Sequence, residues 1–324
     1  MAADEIKTLS DADNHNATIK LEWSKGYIGM PHAIARSGLF SAGHRRQLDG
    51  DVLTDIPTNG SCSVKIQSIS TLSVADLIVF LAIMHICWTQ DDDRYSKSRV
   101  KRTRIDCTLG DIAEAMGRKR NTSTAKHIFG SLERLARTHI EIKGKGYFSG
   151  SLISIGSDLS PDKAVSTGYK VEIYVNPKLQ ELYRGGHWTA LKYDIIKALG
   201  RNQLAQWLYC FFGSHRVDYD KGEFGKFVYF YGLNKIQELS GSNLPSRIYV
   251  GRVHNALELI SQTSMQYATS PDDLVFLYDI QKTDNKHGNK DRYKITALFR
   301  RKYLCETQET RESATAADIA DKNS

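Results

Sequence analysis

The sequence predicts an α+β fold: two tandem winged helix-turn-helix domains between disordered, acidic termini. Three observations predict it. A helix–glycine–helix pattern is stated twice at a fixed spacing, and alternating segments with lysine-bearing loops follow each statement. A chain of 324 residues also suits roughly two domains.

The repeat sets the frame. LGDIAEAMGRKRNTSTAKHIFGSLERLA runs from Leu109 to Ala136, and LNKIQELSGSNLPSRIYVGRVHNALELI from Leu233 to Ile260, an offset of 124 residues. Leu109, Ile112 and Gly117 recur as Leu233, Ile236 and Gly241, while Phe129, Leu132 and Leu135 fall on Val253, Ala256 and Leu259. In the first copy a helix over Leu109–Met116 ends at Gly117, which suits a left-handed C-terminal cap. RKRN is the turn, and Thr122 caps a second helix reaching about Arg137. In the second copy Leu233–Ser240 precedes a helix over about Pro245–Gln262, with Pro245 in its first turn.

The flanking segments complete each domain. SVKIQSIS (Ser63–Ser70) alternates as a strand does. TLSVADLIVFLAIMHICW reads as a helix, with Ser73 and Asp76 as a capping box and Val74, Leu77, Ile78, Leu81 and His85 on one apolar side. DDDRYSKSRVKRTRI is a loop with a short strand. HIEIKGKGYFSGSLISI alternates on both sides of Gly144–Gly146 and reads as a hairpin, the first wing, with Lys143 and Lys145 at its tip. YKVEIYV (Tyr169–Val175) is a further strand. In the second half, LKYDIIKALGRNQLAQWLYCFFGSH supplies support helices parted at Gly200, and FVYFY is a strand. LVFLYDI and RYKITALFR flank QKTDNKHGNKD, a second wing carrying Lys282, Lys286 and Lys290. The expected division is a tail over 1–27, a first winged-helix domain with its lead-in segment over 28–178, a second over 179–302, and a tail over 303–324. Gly185–Gly186 is the candidate hinge, and both tails lack apolar periodicity.

Charge bears on the partner. At 41% hydrophobic and 25% charged the composition is that of a soluble globular protein. The net charge of +7 and a pI of about 9.0 permit contact with nucleic acid or an anionic surface. Arg94–Lys145 holds 14 Lys/Arg against 5 Asp/Glu, whereas Met1–Ile19 and Tyr303–Ser324 are each net −3. A solvated basic face would show the same run. Lysines in both wings and a free face on each long helix favour double-stranded DNA as the partner. The longest apolar run, Leu77–Cys87, is too short to span a bilayer, and the acidic start shows no signal stretch, so no membrane is expected and the chain reads as cytoplasmic. Cys62, Cys87, Cys107, Cys210 and Cys305 are odd in number and lack CxxC spacing, which suits reduced intracellular thiols.

Several chemistries lack their residues. No G-x-x-x-x-G-K-[ST] stretch is present, so ATP hydrolysis is not expected. No two histidines are separated by one residue, so the paired-histidine metal site of strand-nicking initiators is missing. Asp91–Asp93 could bind a hard cation but fits a solvated turn, His85-x-Cys87 sits on an apolar helix and fits a core, and no tyrosine has a neighbouring acid–base set. The chain is therefore expected to carry no catalytic residues, metal or cofactor.

At about 100° per residue, Val253, Ala256, Leu257 and Ile260 make the buried stripe of the second long helix. Roughly opposite lie Arg247, Ile248, Gly251, Asn255 and Glu258, with Arg252 and His254 at the flanks and Ser246 at the start. In the major groove Arg pairs with guanine, Asn with adenine, and an apolar side chain meets the thymine methyl; Gly251 allows close approach. A phosphate clamp or an internal salt bridge would equally employ Arg247 or Arg252. The first copy offers Ser123, Thr124, Lys126, His127, Ser131 and Arg134, with Arg118, Lys119 and Arg120 in its turn. Fewer of these read bases, so Arg118, Lys119, Arg120, Lys126, Lys143 and Lys145 are assigned to the DNA backbone, or this domain is an interface between two copies of the chain.

Three segments carry a family resemblance. MPHAIARSGLFSAG (Met30–Gly43) resembles the leading segment of TrfA-type plasmid replication initiators, and LAQWLYCFFGSH (Leu204–His215) and LNKIQELSGS (Leu233–Ser242) resemble that family's second-domain helices. The resemblance implies a bacterial protein with two winged-helix domains that binds repeated origin sites, termed iterons, opens the adjacent duplex, and recruits the host initiator and replicative helicase. No Q-L-x-L-F clamp-binding segment is present, which leaves contact with the sliding clamp open. From the residues alone, a winged-helix transcriptional repressor is the alternative, and a strand-nicking initiator is a third.

Overall fold

The computed structural model describes residues 18–20, 23–43, 46–89, 100–144, 146–156, 165–215, 229–270, 273–282 and 293–301. The expected C-terminal tail, residues 1–17 of the expected N-terminal one and Asp91–Asp93 lie outside them, as do Lys145, Lys286 and Lys290. The tail expected over 1–27 is too long: Thr18–Lys20 pairs as a strand with Val100–Arg102, and Ile19 and Trp23 are buried. The chain divides into two compact units, 1–193 with 239–242, and 194–238 with 243–324. Among the described residues no helix is long and apolar enough to cross a membrane.

The first unit begins with β1 (Thr18–Lys20), β2 (Tyr27–Pro31), the short α1 (His32–Ala35), β3 (Phe40–Ser41), β4 (Thr54–Ile56), β5 (Ser63–Gln67) and β6 (Leu72–Ser73). α2 (Val74–Thr89) starts at the expected capping box: the Ser73 amide and hydroxyl each donate to Asp76 Oδ2 at 2.8 Å. There follow β7 (Val100–Arg102), β8 (Arg104–Thr108), α3 (Leu109–Ala115), α4 (Thr122–Arg137), β9 (His139–Lys143), β10 (Tyr147–Gly150), β11 (Ile153–Ile155), β12 (Lys170–Val175), α5 (Gln180–Tyr183) and β13 (Trp188–Lys192). One apolar side on α2 was too narrow an expectation. Every residue from Val74 to Met84 is buried, because α3 and α4 pack on this helix together with β3, β6 and β8. A helix apolar all round belongs in a core. His85 is only half-buried and stacks on Tyr193 at 4.4 Å.

Local chemistry sets the ends of the first helix pair. Thr108 and Asp111 form a second capping box, with the Asp111 amide donating to Thr108 Oγ1 at 3.1 Å and the Thr108 amide to Asp111 Oδ2 at 2.8 Å. Past α3, Gly117 takes φ +68°, a left-handed conformation that costs glycine least. The cap of α4 is Asn121 rather than Thr122. Asn121 is extended, and its side-chain oxygen accepts the Thr124 amide at 2.8 Å, whereas Thr122 is already helical.

The second unit contains α6 (Tyr193–Ala198), whose Tyr193 groups with the first, α7 (Gln203–Ser214), β14 (Tyr229–Gly232), α8 (Leu233–Ser240), whose last two residues group with the first, α9 (Ser246–Tyr267), β15 (Leu274–Lys282) and β16 (Tyr293–Arg301). Gly200, at φ +62°, parts α6 from α7 as expected. α7 is the centre of an aromatic core. Trp207 stacks on Phe211 with centroids 5.0 Å apart, Phe212 meets Phe276 of β15 at 5.8 Å, and Phe276 meets Phe299 of β16 at 5.2 Å. α9 packs on α7 and on β15, and Val253, Leu257 and Ile260 are fully buried there. Each such side chain contributes about 1.5–3 kcal/mol of burial. Gly241 repeats the φ of +68° seen at Gly117.

The two units share one winged-helix plan. In the second, β14, α8, α9, β15 and β16 follow in order, and the sheet runs β14-β16-β15. In the first, β8, α3, α4, β11 and β12 follow in order, and the sheet runs β8-β12-β11. The first wing therefore lies between β11 and β12, which corrects the assignment of the Gly144–Gly146 hairpin. That hairpin is an insertion between α4 and β11. Its strand β9 pairs with β5, from Ser63↔Lys143 to Gln67↔His139, in a four-stranded sheet ordered β10-β9-β5-β4. Alternation marks a strand but not its partner, so sequence spacing could not separate hairpin from wing. The expected join at 178/179 also differs. β13 pairs with β2, from Trp188↔Pro31 to Lys192↔Tyr27, and carries the first unit on to Tyr193.

Candidate nucleic-acid interface

α9 presents the strongest candidate surface. Pro245 stands at its N-cap position without a side-chain cap, and its carbonyl accepts the Ile248 and Tyr249 amides at 2.9 and 3.0 Å. The helix buries Tyr249, Val253, Ala256, Leu257 and Ile260, the stripe expected with Tyr249 added, and continues past Gln262 to Tyr267. Ser246, Arg247, Ile248, Gly251, Arg252 and Asn255 are all exposed. Ile248 is 51% exposed. A Cβ on Gly251 would meet nothing within 4 Å, so the bare backbone there serves no packing purpose inside the protein. Among the described residues Arg247 and Arg252 make no ion pair, which leaves their guanidinium groups available to an outside acceptor.

One flank of α9 is tied to the wing. The Tyr278 hydroxyl of β15 donates to Glu258 Oε2 at 2.6 Å and lies 3.1 Å from His254 Nδ1, while Gln262 Nε2 donates to Glu258 Oε1 at 2.7 Å. Burial, then the bond to Glu258, push the Tyr278 hydroxyl up to about 12. Hydrogen bonds from Tyr278 and Gln262 hold Glu258 below the usual carboxylate range. The phenol is thus a donor and the carboxylate an acceptor throughout the neutral range. Sequence reasoning placed Glu258 and His254 but missed Tyr278. The available signal was the period of two along LVFLYDIQK, which puts Tyr278 on the same side as the buried Phe276.

The second wing is an antiparallel ladder from Leu274↔Arg301 to Lys282↔Tyr293. Lys282 is exposed at its end.

The first copy spends much of its charge on itself. Lys119 and Lys126 are exposed, but Arg118 is half-buried. Arg120 is exposed and pairs with Asp111 at 3.1 Å and Glu114 at 2.5 Å, and the exposed Lys143 pairs with Glu141 on the same strand. Ser131 and Arg134 turn inward. Arg134 Nη2 donates to Asp76 Oδ1 at 2.7 Å and to Ser131 Oγ at 3.0 Å, and Asp76 and Ser131 are both fully buried. Burial pushes the Asp76 carboxyl up, but the bonds from Arg134 and Ser73 more than offset it and hold the group below its ordinary range. A cleft of about 410 Å³ beside β8 and β12 is lined by Asp106, Asp111 and Glu172 with Lys170, an arrangement that disfavours phosphate. Cys62, Cys87, Cys107 and Cys210 are free thiols, and burial pushes Cys107 and Cys210 up to about 12.

The fold is shared with a solved protein. The chain has the fold of domains 2 and 3 of RctB. A crystal structure of the selenomethionine derivative of those domains matches with a TM-score of 0.51 at 16% identity, over 82% of this chain and 96% of that one. A second crystal structure of RctB domains 2–3 gives a TM-score of 0.46 at 13% identity, over 81% and 94% of the two chains. No protein-family model and no curated protein sequence matches the chain. The RctB match spans both units and accords with the tandem winged-helix plan traced strand by strand above.

Proposed function

We propose that this chain is a non-enzymatic plasmid replication initiator that binds repeated origin sites sequence-specifically. The observation that carries the reading is the outward side of α9, where Arg247, Ile248, Gly251, Arg252 and Asn255 are exposed on a helix whose opposite side is locked into the core. Those are base-reading types at major-groove spacing. Replication, rather than regulation alone, is supported by the TrfA-type resemblance of Met30–Gly43, Leu204–His215 and Leu233–Ser242. The fold shared with RctB, itself a replication initiator, supports it further.

In this reading α9 enters the major groove of each repeat. Lys282 with the rest of the second wing, and Lys119 and Lys126 of the first domain, hold phosphates. Several bound copies bend the DNA and help to melt a neighbouring weak duplex, onto which the host initiator and replicative helicase are recruited. The work takes place in the cytoplasm, with pairing of two copies through the first domain as a way to set copy number. No ATP hydrolysis and no strand cleavage are required. Footprinting the chain on its own replicon tests the reading. Regular protection of several direct repeats is expected; a single protected palindrome would replace it with a repressor, and nicking of supercoiled origin DNA would replace it with a nicking enzyme.

A further inference from the structure

We propose that His254 is a base-reading residue of α9, held by Tyr278 so that its Nε2 accepts a hydrogen bond, and that it selects a base carrying an exocyclic amino group in the major groove, cytosine or adenine. This rests on the reading of α9 as the major-groove helix. The Tyr278 oxygen lies 2.6 Å from Glu258 Oε2 and 3.1 Å from His254 Nδ1. A phenol has one proton to give, and a carboxylate can only accept. The proton therefore goes to Glu258, which Gln262 holds from its other oxygen at 2.7 Å. The contact with His254 must then be an N–H donated from Nδ1 to the phenol oxygen. A neutral imidazole carries one N–H, so Nε2 is left with its lone pair.

That lone pair has no acceptor-filling partner among the described residues, and His254 is exposed. It sits beside Asn255 and one turn from Gly251, where open space takes the place of a Cβ. In the major groove the donors are cytosine N4 and adenine N6, whereas guanine and thymine present O6, N7 or O4 acceptors that would oppose Nε2 acceptor to acceptor. His254 thus complements Arg247, which can only donate. Tyr278 and Glu258 touch no base; they are positioning residues that act through the imidazole.

The test uses the full chain on a duplex carrying one footprinted repeat, with every base pair replaced in turn by the other three. The wild-type chain should prefer cytosine or adenine at one position by roughly fivefold, the effect of one ordinary hydrogen bond. His254→Ala should lose that preference there and nowhere else. Tyr278→Phe keeps the ring but loses the oxygen; it should weaken the same preference while leaving random-duplex affinity and thermal melting unchanged. A His254-dependent preference for guanine or thymine overturns the acceptor assignment, and an unchanged profile in His254→Ala overturns the base-reading role. Loss of affinity at every position alike in Tyr278→Phe overturns the positioning role. If Arg247→Ala also leaves the profile untouched, it is the major-groove placement of α9 that has failed, and this proposal fails with it.

Discussion

The two long helices of the repeat, α4 and α9, align at 124 residues and use the alignment in opposite ways. Arg134 in α4 occupies the position of Glu258 in α9. The first turns inward to the buried Asp76 at 2.7 Å; the second turns outward to Tyr278 at 2.6 Å. Ile128 and Ser131 are buried where Arg252 and Asn255 are exposed. The buried arc of α4 is rotated by roughly 60° from that of α9, counting 100° per residue, which is also why Leu259 is only half-buried although it aligns with the buried Leu135. One supersecondary plan thus carries a helix anchored by a buried ion pair and a helix whose polar side is left for a partner. The hairpin of β9 and β10 strengthens the contrast, since it appears only in the first copy and ties that copy to β5.

Breaking the anchor should produce the largest effect. Arg134→Met strands Asp76, which is 0% exposed, and should cost about 3–5 kcal/mol of unfolding free energy in urea titrations. Glu258→Gln at the matching position should stay within about 0.5 kcal/mol; equal losses would erase the distinction between the copies. The pH dependence follows from the lowered Asp76 group. A depressed carboxyl adds stability that is fully present above its unfolded value of about 3.9 and is lost as pH falls through the folded one. Acid titration of the wild type should show that loss, and Asp76→Asn should show a shallower slope below about pH 4.

Removing a reader from α9 comes next. Arg247→Ala should cost about 1–3 kcal/mol on the cognate repeat and relax preference at one base position. Competition binding against scrambled duplex measures it; equal losses on both duplexes would make Arg247 a phosphate clamp. A smaller effect is expected at the start of α4. Asn121→Ala loses the cap on the Thr124 amide and should lower stability by about 1 kcal/mol with DNA affinity retained. Least of all, Lys282→Ala should weaken cognate and random DNA alike and reduce the salt slope by roughly one unit, with stability within about 0.5 kcal/mol. A change in base preference from Lys282→Ala would exchange the roles given to helix and wing.

By itself the sequence determined what depends on near neighbours along the chain. The paired helices, the left-handed turns at Gly117 and Gly241, the capping box at Ser73 and Asp76, the break at Gly200 and the outward side of α9 all follow from periods and caps a few residues long. Tertiary structure decided what depends on distant partners. β12 rather than β9 pairs with β8, so the wing of the first copy lies where alternation alone could not place it. Arg134 meets a carboxylate 58 residues earlier, and Tyr278 closes on Glu258 from 20 residues away. A guanidinium or a phenol on an exposed-looking arc reads the same in sequence whether it awaits a ligand or already has a partner. Only the packing of α2 against α4, and of β15 against α9, separates the two, because a charge or hydroxyl is satisfied by geometry across the fold rather than by its neighbours along the chain.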